Sequence, residues 1–359
     1  MKCKIDNVSI QAIATYLPDN ILEMNTLSDL FGAANVDMII KATGVERVHV
    51  ADDSETASDM CFHAAKFLID QEKISKDEID GLVFISQTSD YISPATSVIL
   101  QDRLGLSRDT VCFDISYGCS GYIYGIFQAS ILISSGACKK VLVLAGDTTT
   151  KLINKKDRAQ RMVFGDAGSA TIVSEGVGQI GFHIGSNGSE YEKVIIPAGG
   201  FRMPSCEETK IEYVDSDGNQ RSKENFYMDG LSVFNFILKE GRQSIHTLLD
   251  YMQWNIVDVK LFALHQATKF TLDNLKKRLK IENSLAPSNI QNYGNTGPAT
   301  IPLVLSDIYN KDSDQDLLNL DKVVMSGYGV GLSWGSLTCN LQKTIIYKPL
   351  FNKNGKNKN

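Results

Sequence analysis

The sequence predicts an α/β protein with a mostly parallel sheet that is covered by helices on both faces. Short apolar runs rich in β-branched residues alternate with longer segments of helical periodicity, which is typical of βαβ units. The clearest helical segments are 58–70 and 232–252. Four apolar runs indicate buried strands, at 81–86, 140–145, 260–264 and 322–326.

The length of 359 residues fits two domains or one large double domain. Hydrophobic residues make up 43% and charged residues 22% of the chain, a balance that excludes disorder of the whole chain. No run reaches the roughly 18 apolar residues of a membrane span. The N-terminus lacks the apolar core of a signal peptide. We therefore expect a cytoplasmic protein without a membrane partner.

The charge balance and the cysteines exclude further classes of protein. A net charge of −6, from 36 basic and 42 acidic residues, argues against nucleic-acid binding, which requires a basic surface. The seven cysteines are an odd number and contain no Cys-x-x-Cys pair. Because the chain is expected to be cytoplasmic, this pattern indicates neither a disulfide framework nor a zinc site.

The order of sequence signals repeats along the chain. In each half a helix leads into a buried strand, and a further helical stretch, a glycine-rich segment and a second strand follow. This repetition predicts a duplicated fold with halves at 1–175 and 176–345; the alternative is a coincidence between two ordinary α/β halves. The remaining segment, 346–359, ends in a basic stretch of low complexity and is expected to be disordered.

Cys119 differs from the other cysteines in its surroundings. It stands in the glycine-framed segment Tyr117-Gly118-Cys119-Ser120-Gly121, directly before a segment that is apolar nearly all round. Such a segment indicates a buried central helix, and the dipole and free N–H groups at its start would stabilise a thiolate. This placement favours a nucleophile, and the alternative is a structural buried cysteine.

His265 and Asn295 are the polar residues best placed to act with that thiol. His265 lies at the carboxyl end of a predicted strand, where parallel sheets bind their ligands. Asn295 lies in a glycine-framed turn, and the alternative there is a turn without function. Cysteine, histidine and asparagine can together carry out acyl transfer.

These segments and several others make the chain similar to a known family. Over roughly Ile10 to Leu341 it resembles the ketoacyl synthase III family (3-oxoacyl-[acyl-carrier-protein] synthase III) of the thiolase fold. The resemblance implies two related halves in five layers, αβαβα, and a homodimer. It is carried, in this order, by Thr43-Gly44-Val45-Glu46-Arg47, Thr56-x-x-Asp59-Met60, Tyr117-Gly118-Cys119-Ser120-Gly121-Tyr122, Phe164-Gly165-Asp166-Ala167-Gly168-Ser169-Ala170, Pro197-Ala198-Gly199-Gly200, Met228-Asp229-Gly230, His265-Gln266-Ala267, Gly294-Asn295-Thr296 and Gly329-Val330-Gly331-Leu332-Ser333-Trp334-Gly335.

The resemblance also implies an activity and its residues. Cys119 matches the nucleophile that accepts the acyl group, and His265 and Asn295 match the pair that handles the malonyl thioester. The backbone N–H groups of Cys119 and Val330 would hold the oxyanion. The implied reaction is a decarboxylating Claisen condensation of a primer, carried by coenzyme A or a carrier protein, with malonyl-[acyl-carrier protein]. It needs no metal and no redox cofactor.

Several positions depart from the family pattern and bear on the primer. Met38 and Ala42 replace the Trp and Arg of members that use acetyl-CoA, which favours a carrier protein as donor. Thr268 replaces an Asn that often follows His-Gln-Ala. Ser93 stands where some members place a bulky Phe at the partner's acyl pocket, so we expect an acyl group longer or bulkier than acetyl.

A carrier protein is acidic and needs a basic docking surface. The helix after His265 offers basic residues for this purpose, namely Lys269, Lys276, Lys277, Arg278 and Lys280, of which we single out Lys269, Lys277 and Arg278. Phe270 stands where an Arg is expected. The alternative is an ordinary solvated helix face.

Two other functions fit the same residues. The first is a family relative that moves the Cys119-bound acyl group onto an alcohol or amine, or that acts in a specialised-metabolite pathway. The second is an inert partner in a heterodimer, which the intact set of Cys119, His265 and Asn295 argues against.

Overall fold

The computed structural model describes residues 1–310 and 319–351. Its strands range from two to 20 residues in length. They are β1 (Lys2–Leu17), β2 (Asn20–Glu23), β3 (Arg47–Val50), β4 (Gly81–Ile85), β5 (Val111–Ile115), β6 (Lys140–Asp147), β7 (Ala167–Ser186), β8 (Val194–Ile195), β9 (Tyr213–Val214), β10 (Gln220–Arg221), β11 (Tyr227–Met228), β12 (Leu261–Leu264), β13 (Val323–Gly329), β14 (Ser333–Cys339), β15 (Ile345–Ile346) and β16 (Leu350–Phe351).

The helices alternate with these strands as the sequence predicts, and a π-helical turn, Ile237–Gly241, joins two of them. Within the described residues, none is long and apolar enough to cross a lipid bilayer. The helices are α1 (Ser28–Phe31), α2 (Ala33–Thr43), α3 (Ala57–Gln71), α4 (Thr96–Leu104), α5 (Gly121–Ser134), α6 (Arg158–Arg161), α7 (Glu207–Lys210), α8 (Gly230–Phe236), α9 (Arg242–Met252), α10 (Lys269–Leu279), α11 (Ile290–Tyr293) and α12 (Thr300–Ile308).

The large sheet has the strand order β12-β13-β14-β7-β6-β4-β5, and β1 runs beside β7. The first part of β7 pairs with β6, and its last part pairs with β14. On its other edge β7 pairs with β1 over nearly its whole length. Strands β1 and β7 run through both halves of the sheet. The predicted boundary at residue 175 therefore falls inside the continuous strand β7.

Both halves repeat one pattern of strand pairing. In the first half β4 is parallel to β6, which is antiparallel to the following strand β7. In the second half β12 is parallel to β13, which is antiparallel to the following strand β14. The four predicted strands are β4, β6, β12 and β13, with small differences at their ends. The predicted duplication is therefore confirmed in the strand pairing.

The five layers follow from the alternation of side chains along the strands. On β4, Val83 and Ile85 point to the central core, where α5 and α12 lie between the two parts of the sheet. Leu82 and Phe84 point the other way and pack under α3 and α4. In the second half the outer core contains Phe262 under α9 and α10. Both faces of β4 and β12 are apolar and buried because helices cover both.

Helix α5 occupies the central layer because it is apolar nearly all round. Ile123 and Ile126 are fully buried in the central core. Tyr122 is also buried, and its hydroxyl group lies 3.0 Å from the hydroxyl group of Thr171 on β7. The helix therefore contacts both halves of the molecule along its length.

The predicted helix at 232–252 is confirmed, because α8, the π-helical turn and α9 form one uninterrupted helical segment. Asp229 caps its start by accepting the Ser232 N–H at 3.0 Å. The prediction for the C-terminal segment was wrong in part. The segment 346–359 was expected to be disordered, but β15 and β16 pair with β1. These residues are ordered because apolar side chains such as Ile346 reach the core. Residues 352–359 lie outside the described part.

We expect Ile123→Ala to lower the free energy of unfolding by about 2–4 kcal/mol, because it leaves a cavity between the two parts of the sheet. Urea denaturation followed by circular dichroism would measure the change. The matched control is Ile131→Ala on the same helix, since Ile131 is 39% exposed. Equal losses from both substitutions would contradict the central position of α5.

Candidate active site

Cys119 lies in a tight turn directly before α5, where the Gly121 N–H donates to the carbonyl oxygen of Gly118 at 2.7 Å. Strand β13 packs against this turn through glycines, so no side chain separates the two backbones. A Cβ atom added at Gly329 would lie 2.8 Å from the Cys119 Cβ and 3.3 Å from its Sγ. One added at Gly327 would lie 2.6 Å from the Cys119 carbonyl oxygen. Glycine at these positions lets the two halves meet at the thiol.

Ser120 and Ser333 link the turn after β13 to the turn that contains Cys119 by hydrogen bonds. The Ser333 hydroxyl donates to the Val330 carbonyl oxygen at 2.6 Å and lies 2.7 Å from the Ser120 hydroxyl. Within the described residues, the N–H groups of Cys119 and Val330 donate to no other residue. Both N–H groups thus belong to neighbouring turns and are available to a ligand.

His265 follows β12 and is almost completely buried, with 1% of its surface exposed. Its backbone N–H donates to the Ser326 carbonyl oxygen on β13 at 2.8 Å. The ring Nδ1 lies 2.6 Å from the Thr300 Oγ1, and the ring meets the Tyr328 ring edge-on. Burial lowers the pKa of His265 to about 3. The imidazole is therefore uncharged at neutral pH.

Asn295 belongs to the second half but is held by the first. Its N–H donates to the Val163 carbonyl oxygen at 2.9 Å, and its own carbonyl oxygen accepts the Gly165 N–H at 3.1 Å. Its side-chain Oδ1 accepts the Gly297 N–H at 3.0 Å and faces the Cys119 thiol, with Sγ at 3.9 Å. Because Oδ1 takes these donors, the Nδ2 group is the part of the amide available to a ligand oxygen.

One cavity of about 520 Å³ is bounded by Cys119, His265 and Asn295. The structure thus brings together the three residues that the sequence singled out, from both halves of the chain. The remaining wall is mainly apolar, and α2, α8 and α10 contribute to it. Its large apolar side chains are Phe164, Val194, Phe226, Met228, Leu231, Val233, Phe234, Ile237, Phe270, Tyr328 and Val330.

The resting charge of Cys119 differs from the sequence-based expectation. Burial and the negative charge of Asp147 raise the pKa of the Cys119 thiol to about 12, and the hydrogen bond to Asn295 offsets only part of this. The expectation of a thiolate stabilised by the helix was therefore wrong for the unliganded protein. Cys119 precedes the N-cap residue Ser120, and the loss of hydration outweighs the effect of the helix start.

Asp147 is a part of the site that the sequence reasoning missed. It ends β6, and its Oδ1 accepts hydrogen bonds from the Ser86 hydroxyl at 2.8 Å, the Gln87 N–H at 2.7 Å and the Thr88 hydroxyl at 3.1 Å. Burial raises its pKa to about 6. The available signal was an acidic residue at the carboxyl end of an apolar strand, the same position that drew attention to His265.

The residues that depart from the family pattern lie around the cavity mouth. Ala42 and Thr268 line the cavity, and the Thr268 hydroxyl caps α10 by accepting the Thr271 N–H at 3.1 Å. Met38 is exposed one turn before Ala42 on α2. Phe270 stacks on Phe234 at the mouth, with ring centroids 5.2 Å apart. The mouth is therefore apolar at these positions, where the family pattern has the Trp and Arg that Met38 and Ala42 replace.

Of the basic residues expected to dock a carrier protein, Lys269 lies beside the mouth, between Thr268 and Phe270, and is paired with Asp273 on its own helix. Lys276 is buried and also pairs with Asp273. Lys277 and Arg278 are exposed in the last turn of α10, away from the cavity. Ser93 is exposed in the loop before α4 and does not line the cavity of its own chain.

Comparison with known proteins agrees with this architecture. The family description "3-Oxoacyl-[acyl-carrier-protein (ACP)] synthase III" matches residues 113–188, and its C-terminal counterpart matches residues 249–341. A putative 3-oxoacyl-[acyl-carrier-protein] synthase 3 of Campylobacter jejuni is 31% identical over 359 residues, covering 99% of this chain and 98% of the relative. The chain belongs to the 3-oxoacyl-[acyl-carrier-protein] synthase III family.

Further members show the same correspondence. The β-ketoacyl-[acyl-carrier-protein] synthase III of Clostridium perfringens (strain SM101) is 31% identical over 340 residues, which cover 94% of this chain and all of the relative. A crystal structure of 3-oxoacyl-(acyl-carrier protein) synthase from Burkholderia xenovorans superposes with a TM-score of 0.89 at 31% identity. That superposition covers 98% of this chain and 99% of the other. The synthase III family thus shares the thiolase fold described above.

We expect Asp147→Asn to make Cys119 react faster with iodoacetamide at pH 8. The substitution removes a negative charge that raises the pKa of the thiol, and a pKa lower by about one gives roughly ten times more thiolate. Peptide mapping by mass spectrometry would measure the rate at Cys119.

Asp166→Asn is the matched control, because Asp166 is a second buried carboxyl whose pKa burial raises to about 6. It does not affect the Cys119 pKa, so its rate should match the wild type. An unchanged rate in Asp147→Asn would show that its charge does not reach the thiol.

Proposed function

We propose that this synthase III family member catalyses the decarboxylating Claisen condensation of an acyl thioester with malonyl-[acyl-carrier protein], in fatty-acid or related biosynthesis. The observation that carries the proposal is the convergence of Cys119, His265 and Asn295 on one apolar cavity. A thiol nucleophile, an uncharged imidazole and an oriented amide are the groups that this reaction uses.

The first step moves the acyl group of the primer to Cys119. The Cys119 sulfur attacks the thioester carbonyl carbon, the bond from that carbon to the donor sulfur breaks, and the thiol proton passes to the departing carrier thiolate. The tetrahedral intermediate carries a negative oxygen, which the N–H groups of Cys119 and Val330 are placed to receive. Because the resting thiol is protonated, proton transfer accompanies the attack.

The second step makes the carbon–carbon bond. The malonyl group loses CO₂, and its electron pair forms an enolate whose oxygen accepts hydrogen bonds from His265 Nε2–H and Asn295 Nδ2–H. The enolate carbon attacks the carbonyl carbon of the Cys119 thioester, the bond from that carbon to the Cys119 sulfur breaks, and the Cys119 thiolate takes up a proton from solvent. Uncharged donors suit this step because a buried imidazolium would hold the malonyl carboxylate instead of letting it leave as CO₂.

The cavity also supports the proposed primer. Its wall is apolar and large, which suits an acyl group longer than acetyl. Met38 and Ala42 give the mouth no guanidinium or indole to clamp an adenine nucleotide, which favours a carrier-protein donor. We propose a homodimer as well, because β5 is a sheet edge with Phe113 exposed, and Ile92 beside Ser93 is 84% exposed.

Intact-mass spectrometry after incubation with acetyl, longer and branched acyl thioesters, on coenzyme A and on carrier protein, tests the first step. We expect one acyl adduct per chain, preferentially from longer acyl groups on carrier protein, and none with Cys119→Ala. An adduct that persists in Cys119→Ala would place the nucleophile elsewhere. Loading by acetyl-CoA alone would overturn the proposed primer.

His265→Ala separates the second step from the first. We expect adduct formation within about twofold of wild type and a loss of ¹⁴CO₂ release from labelled malonyl-carrier protein of roughly 10²–10³-fold, the usual effect of removing one oxyanion donor. Loading without any CO₂ release in the wild type would refute condensation and favour transfer to an alcohol or amine.

Docking of the carrier protein is proposed at the exposed end of α10. The double variant Lys277→Glu, Arg278→Glu reverses two charges there, so we expect a higher KM for malonyl-carrier protein and an unchanged rate of loading from a small acyl thioester. The control is Lys66→Glu, a charge reversal on the exposed face of α3. Equal effects of both variants would place docking away from α10.

A further inference from the structure

A second cavity, of about 190 Å³, lies next to the cavity that contains Cys119. Beyond the boundary between them, the second cavity is lined mainly by apolar side chains such as Leu152 and Ile196. The boundary itself consists of the residues that line both cavities, which are Gln87, Thr149, Val194, Phe226 and Val330. Because the cavities meet at these residues, an acyl chain that outgrows the first cavity can continue into the second.

Two side chains at this boundary are polar, although the wall around them is mainly apolar. Gln87 lies just after β4, and its backbone N–H donates to Asp147 Oδ1 at 2.7 Å, which holds its main chain in place. Thr149 lies just after β6 and is 7% exposed. In the described part of the chain, no residue forms a hydrogen bond with the Gln87 amide or with the Thr149 hydroxyl. Both groups are therefore available to a ligand.

The Gln87 amide lies beside the turn that carries the nucleophile. A Cβ atom added at Gly118 would lie 3.1 Å from the Gln87 side-chain carbonyl carbon, and the amide oxygen is nearer still. Gly118 directly precedes Cys119, so the missing side chain leaves room for the amide next to the thiol. A hydrogen-bonding group in this position meets the first carbons of an acyl group on Cys119, before the chain reaches the second cavity.

Desolvation makes such groups selective. Gln87 is exposed in the unliganded chain, so water can bind its amide. An acyl chain that crosses the boundary displaces this water, and burial of an amide without a hydrogen-bond partner is unfavourable. A hydroxyl on the acyl chain restores the lost hydrogen bonds, because an amide offers both donors and an acceptor. A site of this kind rejects the analogue that lacks the hydroxyl.

We infer that Gln87 and Thr149 are specificity-determining residues that select an acyl group with a hydroxyl on one of the first carbons beyond the thioester. The inference rests on the proposed function, because it names the class of acyl group that Cys119 accepts. It concerns the loading step alone. It can therefore hold or fail independently of the later condensation.

Competition between acyl thioesters that differ only by a hydroxyl tests the selection. Wild-type protein is incubated with equal amounts of hexanoyl and 3-hydroxyhexanoyl thioesters, and separately with hexanoyl and 2-hydroxyhexanoyl thioesters, on carrier protein and on coenzyme A. Intact-mass spectrometry counts the adducts on Cys119. We expect one of the hydroxyacyl adducts to exceed hexanoyl at least about tenfold. Equal or preferred loading of hexanoyl in every competition would overturn the inference.

Two variants remove the hydrogen-bonding groups and nearly keep the side-chain size. We expect Gln87→Met and Thr149→Val each to lower the ratio of hydroxyacyl to hexanoyl adducts at least about fivefold. The matched control is Phe226→Leu, which changes the same boundary without changing its polarity, so both adducts should change in parallel. An unchanged ratio in either variant would overturn the role of that residue. An equal fall in the control would show an effect of cavity shape and overturn both roles.

The proposed function is tested separately, by ¹⁴CO₂ release from labelled malonyl-carrier protein. Preferred loading of a hydroxyacyl group without CO₂ release would refute the condensation and leave the inference intact. CO₂ release with equal loading of both acyl groups would overturn the inference and leave the condensation intact. Absence of any acyl adduct on Cys119 would overturn both.

Discussion

The close approach of β13 to the Cys119 turn is the contact on which the site depends. Backbone and thiol meet there at distances that no Cβ would permit, and Gly327 and Gly329 make the contact possible. The same contact places Val330 next to Cys119 and joins the two halves across the central layer. The chemistry is therefore assembled by main-chain packing, and the side chains are oriented afterwards by the turns that this packing brings together.

The side chains that were predicted to act in the site are uncharged. His265 is neutral, Cys119 is a thiol at rest, and the Asn295 amide is fixed by a backbone N–H. Desolvation causes the first two states, and it is the same desolvation that makes each hydrogen bond in the cavity stronger than it would be in water. Asp147 is the exception, since a carboxyl lies close enough to Cys119 to raise the pKa of its thiol.

The sequence predicted the buried strands, the duplication and three of the residues at the site, because each left a local pattern. Val83 and Phe262 lie in apolar runs, and Cys119 and Asn295 lie between glycines. Strand β7 was not predicted, since it contains several glycines and polar residues and is stabilised by partners far away in the chain. The pKa of the Cys119 thiol could not be predicted from the sequence either, because it depends on which groups the fold places around the thiol.

The two strands that both halves share, β1 and β7, restrict how the halves can move relative to each other. Since β1 and β7 run without interruption from one part of the sheet to the other, the halves are not joined by a flexible linker. Swinging one half away from the other would break ladder hydrogen bonds along both strands at once, which is far costlier than moving a surface loop. A ligand of the cavity would therefore enter by displacement of side chains and loops at the mouth, while the two halves stay fixed relative to each other.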